Sequence, residues 1–586
     1  DFLGLRTLTV MGDALKLIKA NRGIDLDLDA IPLDDAAACD ILTKGDTSGV
    51  FQLESEGITK LVMDLKPEHF EDLIPLVALY RPGPLGSGMV ADFIDRRHGK
   101  KEVTYLHPIL EPILKDTFGV ILYQEQVMQI ASAMGGFSLG QADLMRRAMG
   151  KKKESVLKAQ RESFIQGSIN NGIEESVANE VFDLLVYFAG YGFNKSHSAA
   201  YAYIAYQTAY LKAHYFPEFM AATMTSFMQN MQKLTYYINA CKKHNVKVLG
   251  PDINYSERSF AVQDDSIRFG LGGIKNVGDN AIDRLIRERN EHGLYTDIVD
   301  FCKRVDNRVV NKRLLESLIR CGAMDGFQEN RNQLLHMYES AQAVGSKEQK
   351  DAAMGTMSLF GDMEEAVEFI PVPNVKDLSE DDKLKDEKEY TGFYITGHPL
   401  QGYAKELEGL FELGALVENP EQYDGQTITF GGLIENKSDR MTKRNELMSI
   451  LRIEDYSGAA NVVAFPKVFS QSQQFLAVDM IVKVKGRVDA DEKGVQIIAD
   501  RITPLKVNYG QAKQVAIHIY SQYDTPENSE ALKRVLTNTA GSVPTSLYLH
   551  RQRKRINLPP NMCFDPSDES IKTIESILGE GSVEVQ

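Results

Sequence analysis

Asn194, Lys195, Ser196 and His197 set an amide, an ammonium group, a hydroxyl and an imidazole on four successive residues, between Gly192-Phe193 and an Ala/Tyr-rich run. A second cationic string, Arg146-Arg147-Ala148-Met149-Gly150-Lys151-Lys152-Lys153, lies upstream. Residues 141–170 carry seven Lys/Arg against three Asp/Glu, a local +4 in a chain whose formal net charge is −16. Such clusters repel themselves unless they meet an anion, and guanidinium forks with ammonium groups suit phosphate oxygens. The competing reading of any charge run is a solvated helix face. The Asn-Lys-Ser-His string between glycine and helix tips the balance towards phosphate.

The elements that must hold these groups are mostly helical. Ala202, Ala205, Ala209 and Ala213 fall on one helical ridge, and Tyr203, Tyr206 and Tyr210 on its neighbour, a pattern of close helix packing. Ser198 is the expected N-cap, turning the first-turn amides towards Lys195 and His197. Further on, a short strand at Ile267–Leu271, the turn Gly273-Ile274-Lys275-Asn276-Val277-Gly278 and a helical run from Asp279 to Asn290 resemble a helix-hairpin-helix. Such a turn would offer Gly273, Lys275 and Gly278 to a phosphodiester without reading sequence.

Gly355–Gly361 places Leu359-Phe360 as a short apolar plug in a polar stretch, either a peptide that docks in a partner's pocket or a loop folded on its own domain. Residues 362–389 hold eleven acidic and four basic side chains and read as a solvated linker or a marginal helix. Five alternating segments, Thr427–Ile434, Leu447–Glu454, Asn461–Phe465, Met480–Val488 and Val495–Ile502, suit a small Greek-key barrel of the OB type. Its first hairpin tip carries Lys437, Arg440, Lys443 and Arg444, either a single-strand contact or a solubilising tip. From 514 onwards two strands and two helices predict a small α/β unit.

The 586 residues allow about four domains. The five cysteines lack zinc spacing and read as reduced thiols, no apolar run is long enough to span a bilayer, and a cytoplasmic protein is expected. No His/Asp metal cluster stands out, which disfavours a metal-dependent phosphoesterase.

Several strings together resemble the C-family replicative DNA polymerases of bacteria: Asp1-Phe2-Leu3-Gly4-Leu5-Arg6-Thr7-Leu8-Thr9, Val50-Phe51-Gln52-Leu53-Glu54-Ser55, Arg81-Pro82-Gly83-Pro84-Leu85, Tyr123-Gln124-Glu125-Gln126-Val127-Met128, both cationic segments and Thr396-Gly397-His398-Pro399. The resemblance implies a multidomain α+β chain: the end of a palm (1–5), helical fingers (6–255), a helix-hairpin-helix duplex- and clamp-binding region (256–361), an acidic connector (362–425), an OB-fold (426–505) and a C-terminal domain that contacts the clamp-loader tau subunit (514–586).

It further implies two Mg²⁺ ions held by three aspartates, of which only Asp1 is in this chain, so isolated activity is not expected. Arg146, Arg147, Lys195 and His197 match positions near the incoming triphosphate, with Lys151–Lys153 and the Arg81 turn as weaker matches. The implied partners are primer–template DNA, dNTPs, the sliding clamp through Leu359 and Phe360, tau, and a proofreading exonuclease through an N-terminal domain this chain lacks. Thr356 stands where clamp peptides of the family carry Gln, which predicts weaker binding. The alternative is a non-enzymatic DNA- and clamp-binding assembly piece.

Overall fold

The computed structural model describes residues 4–585 apart from 87, 152–153, 190–191, 354–369, 419, 443, 492–493, 506–513, 539–540, 542, 560–561, 565 and 580. They fall into two compact units, Asp1–Thr396 and Gly397–Gln586. Asp1, Lys152, Lys153, Thr356, Leu359, Phe360 and Lys443 lie outside the described residues.

The first unit is helical and has two hydrophobic cores. The larger is threaded by the helix Lys195–His214, whose Ala202, Ala205 and Ala209 are fully buried and let it sit close to the helices Ala36–Thr43 and Leu73–Leu79. Tyr206 is also buried; its hydroxyl donates to the Pro32 carbonyl at 2.7 Å and accepts from the Asp35 amide at 2.8 Å. The Tyr stripe is therefore packing.

The second core joins the helices Gln124–Gly135, Leu139–Lys151, Glu154–Asn170 and Glu175–Ala189. Two of these meet glycine to glycine. A Cβ on Gly167 would lie 2.0 Å from the Gly135 carbonyl oxygen, so no larger residue fits that crossing.

After the helix Met231–Lys243 comes a small sheet, β1 (Val248–Leu249), β2 (Ala261–Gln263) and β3 (Ser266–Arg268), in the order β1-β3-β2. The β2–β3 turn, Asp264-Asp265, has both φ angles positive (47° and 59°), as a tight two-residue hairpin requires. The helices Asp279–His292, Ile298–Arg304, Lys312–Arg320 and Arg331–Ala353 follow. Cys39, Cys241, Cys302 and Cys321 are buried, and burial pushes the first thiol up to about 11 and the other three to about 12. These thiols are structural.

The acidic stretch is not a solvated linker over its described part. Residues 373–376 lie against the start of the Arg331–Ala353 helix, accepting hydrogen bonds from Asn330, Asn332 and Gln333. The helix Glu380–Thr391 then buries Leu384, Glu387 and Thr391 on one side. Glu387 is 0% exposed and accepts from Arg331 Nη2 (2.9 Å), from the amides of Ile395 and Thr396 (2.9 Å each) and from Thr396 Oγ1. Residues up to Thr396 thus complete the first unit, and high charge density here covers one buried face.

In the second unit β4 (Thr427–Met441), β5 (Leu447–Glu454), β6 (Ala459–Ala464), β7 (Ile481–Asp491) and β8 (Gly494–Pro504) close a barrel in the order β4-β5-β6-β8-β7. Alternate residues fill it, including Ile428, Phe430, Leu451, Ile453, Val482, Val484 and Ile497, and the helix Pro466–Ser472 adds Val468 and Phe469. The OB architecture read from alternation is present. The last part holds β9 (Val515–Ile519), β10 (Thr545–Leu549), β11 (Lys554–Asn557) and β12 (Val583–Val585), ordered β11-β10-β9-β12. Helices Pro526–Asn538 and Asp568–Leu578 supply Leu532, Leu536, Ile574 and Leu578 to its core. Two of the four strands, β11 and β12, were not legible in the sequence.

Candidate functional site

The Lys195–His214 helix begins earlier than expected. Asn194, not Ser198, is its N-cap: the Asn194 Oδ1 accepts from the His197 amide at 2.8 Å. Ser198 is buried in the first turn and donates to the Ile74 carbonyl at 2.6 Å. Both residues are good caps, and the Ile74 contact, which no local rule reveals, decides between them.

The Tyr123-Gln124-Glu125-Gln126 string builds the platform beneath this helix start. Tyr123 and Phe193 form a parallel bridge, with the Gln124 amide donating to the Phe193 carbonyl (2.8 Å) and the Phe193 amide to the Leu122 carbonyl (3.1 Å). Gln124 Nε2 holds the Gly192 carbonyl at 3.0 Å. Gln126 Oε1 accepts from the amides of Leu122 and Tyr123, while its Nε2 donates to Thr117 Oγ1 and the Ile113 carbonyl. Glu125 accepts from the Lys195 amide (3.0 Å) and from Asn194 Nδ2 (3.1 Å). A carboxylate therefore already occupies the first amide of the helix, where a phosphate was expected. With Asn194 Oδ1 on the His197 amide as well, two first-turn amides are taken, which shifts the binding of an anion here towards side chains.

Those side chains converge. Lys195 Nζ lies 5.5 Å from the Tyr123 ring centre and 3.9 Å from Asp116, with half of its side chain exposed. The exposed His197 ring lies 4.3 Å from Tyr201 and 5.5 Å from Phe193. The Arg81 guanidinium also lies over Phe193, 4.4 Å from its ring centre, and its Nε donates to the Ala78 carbonyl. Burial lowers the Arg81 pKa. The Arg81-Pro82-Gly83-Pro84 turn, a weak signal in sequence, thus places a cation one ring away from His197.

Arg146 and Arg147 sit on the Leu139–Lys151 helix of the second core. Both pair with Asp143, at 2.8 Å each, and hydrogen bonding from Arg146 holds that carboxyl below its usual range. Arg147 keeps 64% of its side chain exposed. Among the described residues, no hydrogen bond, ion pair or ring contact joins this pair to Lys195 and His197. Each group has its own carboxylate, Asp143 for the two arginines and Asp116 for Lys195.

The hairpin turn differs from expectation. A short 3₁₀ turn, Leu271–Gly273, precedes it. Gly273 is buried, its amide donates to the Gly270 carbonyl, and an added Cβ would lie 2.7 Å from the Phe269 ring. Its glycine is needed for packing. The Lys275 amide is taken by the Tyr390 carbonyl at 2.9 Å, while its exposed ammonium group lies 3.7 Å from Glu389. Gly278 is the N-cap residue, exposed and with open space around it. Beside it Arg258 pairs with Asp279 and Asp283.

In the barrel, β4 runs on to Met441, so Lys437 and Arg440 stand on a strand and Arg444 in the turn beyond it. Their polar alternation made the extension look like loop. Lys437 pairs with Asp439 at 3.1 Å and lies 5.6 Å from the Phe469 ring; Arg440 and Arg444 are exposed. Among the described residues no group of three or more His, Cys, Asp or Glu is placed to hold a metal ion, and no helix is long and apolar enough to cross a membrane.

Residues 7–172 match the bacterial DNA polymerase III alpha subunit finger domain, 245–334 a helix-hairpin-helix motif, and 428–505 an OB-fold nucleic acid binding domain. Across its whole length the chain is 39% identical to DNA polymerase III subunit alpha of Escherichia coli (strain K12) and 40% identical to that of Pseudomonas aeruginosa, covering 52% of each. Over 97% of its length it is 38% identical to the subunit of Borreliella burgdorferi, covering 50% of that protein. The chain spans about half the length of the curated relatives it matches. It is a homologue, from end to end, of the bacterial DNA polymerase III alpha subunits.

Proposed function

We propose that this chain supplies the nucleotide-binding fingers and the DNA- and clamp-binding parts of a replicative DNA-directed DNA polymerase working in the cytoplasm. The intact protein adds dNTPs to a primer 3′ end. The observation that carries this reading is the start of the Lys195–His214 helix, where His197 and Arg81 flank Phe193 and Lys195 lies over the bridged Tyr123, on a platform locked by Gln124, Glu125 and Gln126. Because Glu125 fills the first amide, the cations themselves neutralise a triphosphate and the charge that grows on departing pyrophosphate. Lys195 is suited to this, being tethered to Asp116 only at 3.9 Å. Arg146 and Arg147 serve the same triphosphate from the second core.

Two Mg²⁺ ions would activate the 3′-hydroxyl and escort the nucleotide in the intact protein. Of the three aspartates that would hold them this chain supplies Asp1 alone, too few for two hard cations, so 1–586 by itself does not extend primers. Primer–template DNA is held through Lys275 and Gly278 of the hairpin, with Gly273 setting its packing, and through Lys437, Arg440, Lys443 and Arg444 of the barrel. Leu359 and Phe360 dock in the sliding clamp, the C-terminal part meets tau, and a proofreading exonuclease binds through an N-terminal domain beyond this chain.

In polymerase reconstituted with the upstream palm, Arg147→Ala or Lys195→Ala raises the nucleotide KM or lowers kcat by at least ~10-fold, ~1.4 kcal/mol. Wild-type kinetics in both variants would remove the assignment.

A further inference from the structure

The C-terminal sheet has one face that the functional reading leaves unused. Val515, Ile517 and Ile519 of β9 face the helices and belong to the core. The opposite face of β9 and β10 carries four rings in two stacked pairs. His518 lies 4.9 Å from Tyr548 with the rings 18° apart, and Tyr520 lies 4.5 Å from His550 at 24°. His518 Nδ1 and His550 Nε2 are 3.0 Å apart, which fixes the two imidazoles edge to edge. Tyr520 is 38% exposed and His550 is exposed. Arg555, opposite Tyr548 in the β10–β11 register, holds its guanidinium 5.3 Å from that ring and donates to Ser546 Oγ at 3.2 Å.

The same hairpin is strongly basic. His550-Arg551-Gln552-Arg553-Lys554-Arg555 has four Lys/Arg, and no Asp or Glu occurs from 531 to 564. Residues 551–557 are all exposed. Arg553 sits at the turn with φ 48°, so the tip is tight; past it Arg555 lies on the ring face, opposite Tyr548, and Lys554 is paired with Leu549. In a chain of net charge −16, this local charge calls for a polyanion.

Paired rings on a sheet face, with the Glu584 carboxylate of β12 3.5 Å from His518 at one edge and clustered cations at the other, offer the ring and charge chemistry that holds unstacked bases and their phosphates. We propose that the β9–β10 face, with the 550–555 hairpin, is a binding site for single-stranded nucleic acid, separate from the barrel. Tyr520, Tyr548 and the two histidines form the stacking platform, and Arg551, Arg553, Lys554 and Arg555 neutralise the phosphates. A duplex keeps its bases stacked and does not use the platform.

The test uses the full chain with Lys437, Arg440, Lys443 and Arg444 replaced by Ser, so that the barrel tip is silent. Fluorescence anisotropy with labelled oligo-dT is followed as salt rises. Adding Arg551→Ser, Arg553→Asn and Lys554→Ser weakens binding at least ~10-fold and flattens the log–log salt slope by about 2, at about 0.7 per phosphate for a single strand. Tyr520→Leu with Tyr548→Leu also weakens binding at least ~10-fold and leaves the slope unchanged, because stacking releases no counterions. Competition by oligo-rU against oligo-dT shows whether RNA or DNA is preferred. As a check independent of variants, an iodouracil-bearing strand crosslinks to Tyr520 or Tyr548 in the unmodified chain. Unchanged affinity and slope in the charge variant, equal losses for duplex and single strand, or crosslinks only outside 518–555 would each overturn the proposal. Loss of a protein partner with strand binding intact would overturn it too, assigning the face to that protein.

Discussion

Glu387→Ala should loosen the end of the first unit far more than an exposed change on the same helix. The carboxylate has no exposed surface and satisfies the Arg331 guanidinium, two backbone amides and the Thr396 hydroxyl. Removing one partner of a buried ion pair typically costs ~3–5 kcal/mol. Arg331 keeps its fork on Asp325, at 2.7 Å for the closer bond, so the lower end applies, about 3 kcal/mol. At about 1.4 kcal/mol per decade, this raises local opening of Glu380–Thr391 by roughly 100-fold. Hydrogen exchange followed by mass spectrometry reads it in peptides spanning 380–396 and in the Lys275 amide, which is bonded to the Tyr390 carbonyl. Glu389→Ala is the control: Glu389 and Lys275 are both more than half exposed and 3.7 Å apart, a pair worth under about 1 kcal/mol. Glu387→Gln keeps the shape and one acceptor and falls between. If exchange in Glu387→Ala matches wild type, or if Glu389→Ala has an equal effect, the buried carboxylate does not hold this segment.

Three further expectations concern other parts of the chain. Replacing Lys437, Arg440, Lys443 and Arg444 by Ser reduces single-strand affinity and flattens its salt dependence, by anisotropy titration; an unchanged slope would make the barrel a spacer or protein-docking module. Burial pushes the Asp46 carboxyl up, but hydrogen bonds from His244 (2.7 Å) and buried Lys212 (2.5 Å) outweigh it and hold it below its ordinary range. Its contribution is therefore complete above the ordinary carboxylate pKa and is lost as pH falls through the depressed one, so chemical denaturation of Asp46→Asn should lose part of the acid sensitivity of wild type; identical pH profiles would contradict this. Calorimetry against the sliding clamp should show binding that Leu359→Ala with Phe360→Ala abolishes, each side chain being worth ~1.5–3 kcal/mol when fully buried; binding indifferent to both would refute the motif.

The parts of this fold that announce themselves in sequence are those whose local pattern and tertiary role agree. β4 to β8 alternate apolar and polar residues because one side of each strand fills a barrel, and the small-residue ridge at Ala202, Ala205 and Ala209 points straight to a packed helix. The errors arise where a distant partner decides. Charge density made 362–389 read as a solvated linker or a marginal helix; the helix is there as Glu380–Thr391, but Leu384, Glu387 and Thr391 share a buried face, and what neutralises Glu387 is Arg331, 56 positions upstream. Ser198 lost its capping role to a contact with Ile74, 124 positions away. At the candidate nucleotide site, Lys195 and His197 were visible as residue types. The roles of Glu125 and Arg81 emerge only when the Tyr123–Phe193 bridge brings their segments together. The ring platform stayed hidden although β9 and β10 were legible, because only their parallel register sets His518 opposite Tyr548 and brings Tyr520 beside His550.

The length of β4 bears on how the protein behaves in a tube. Up to Leu433 the strand is flanked by β7, and past Ile434 its described pairing is with β5 alone. Among the described residues no strand pairs with the outer side of 436–441, and an unpaired strand edge is the feature through which soluble proteins join into unwanted sheets. Lys437, Asp439 and Arg440 stand along that edge. Charges there repel a second copy, so the cations that invite nucleic acid also keep the molecule from adding to itself. Stripping them for a binding experiment removes both protections at once, and such a variant belongs in dilute solution, with light scattering run beside every titration.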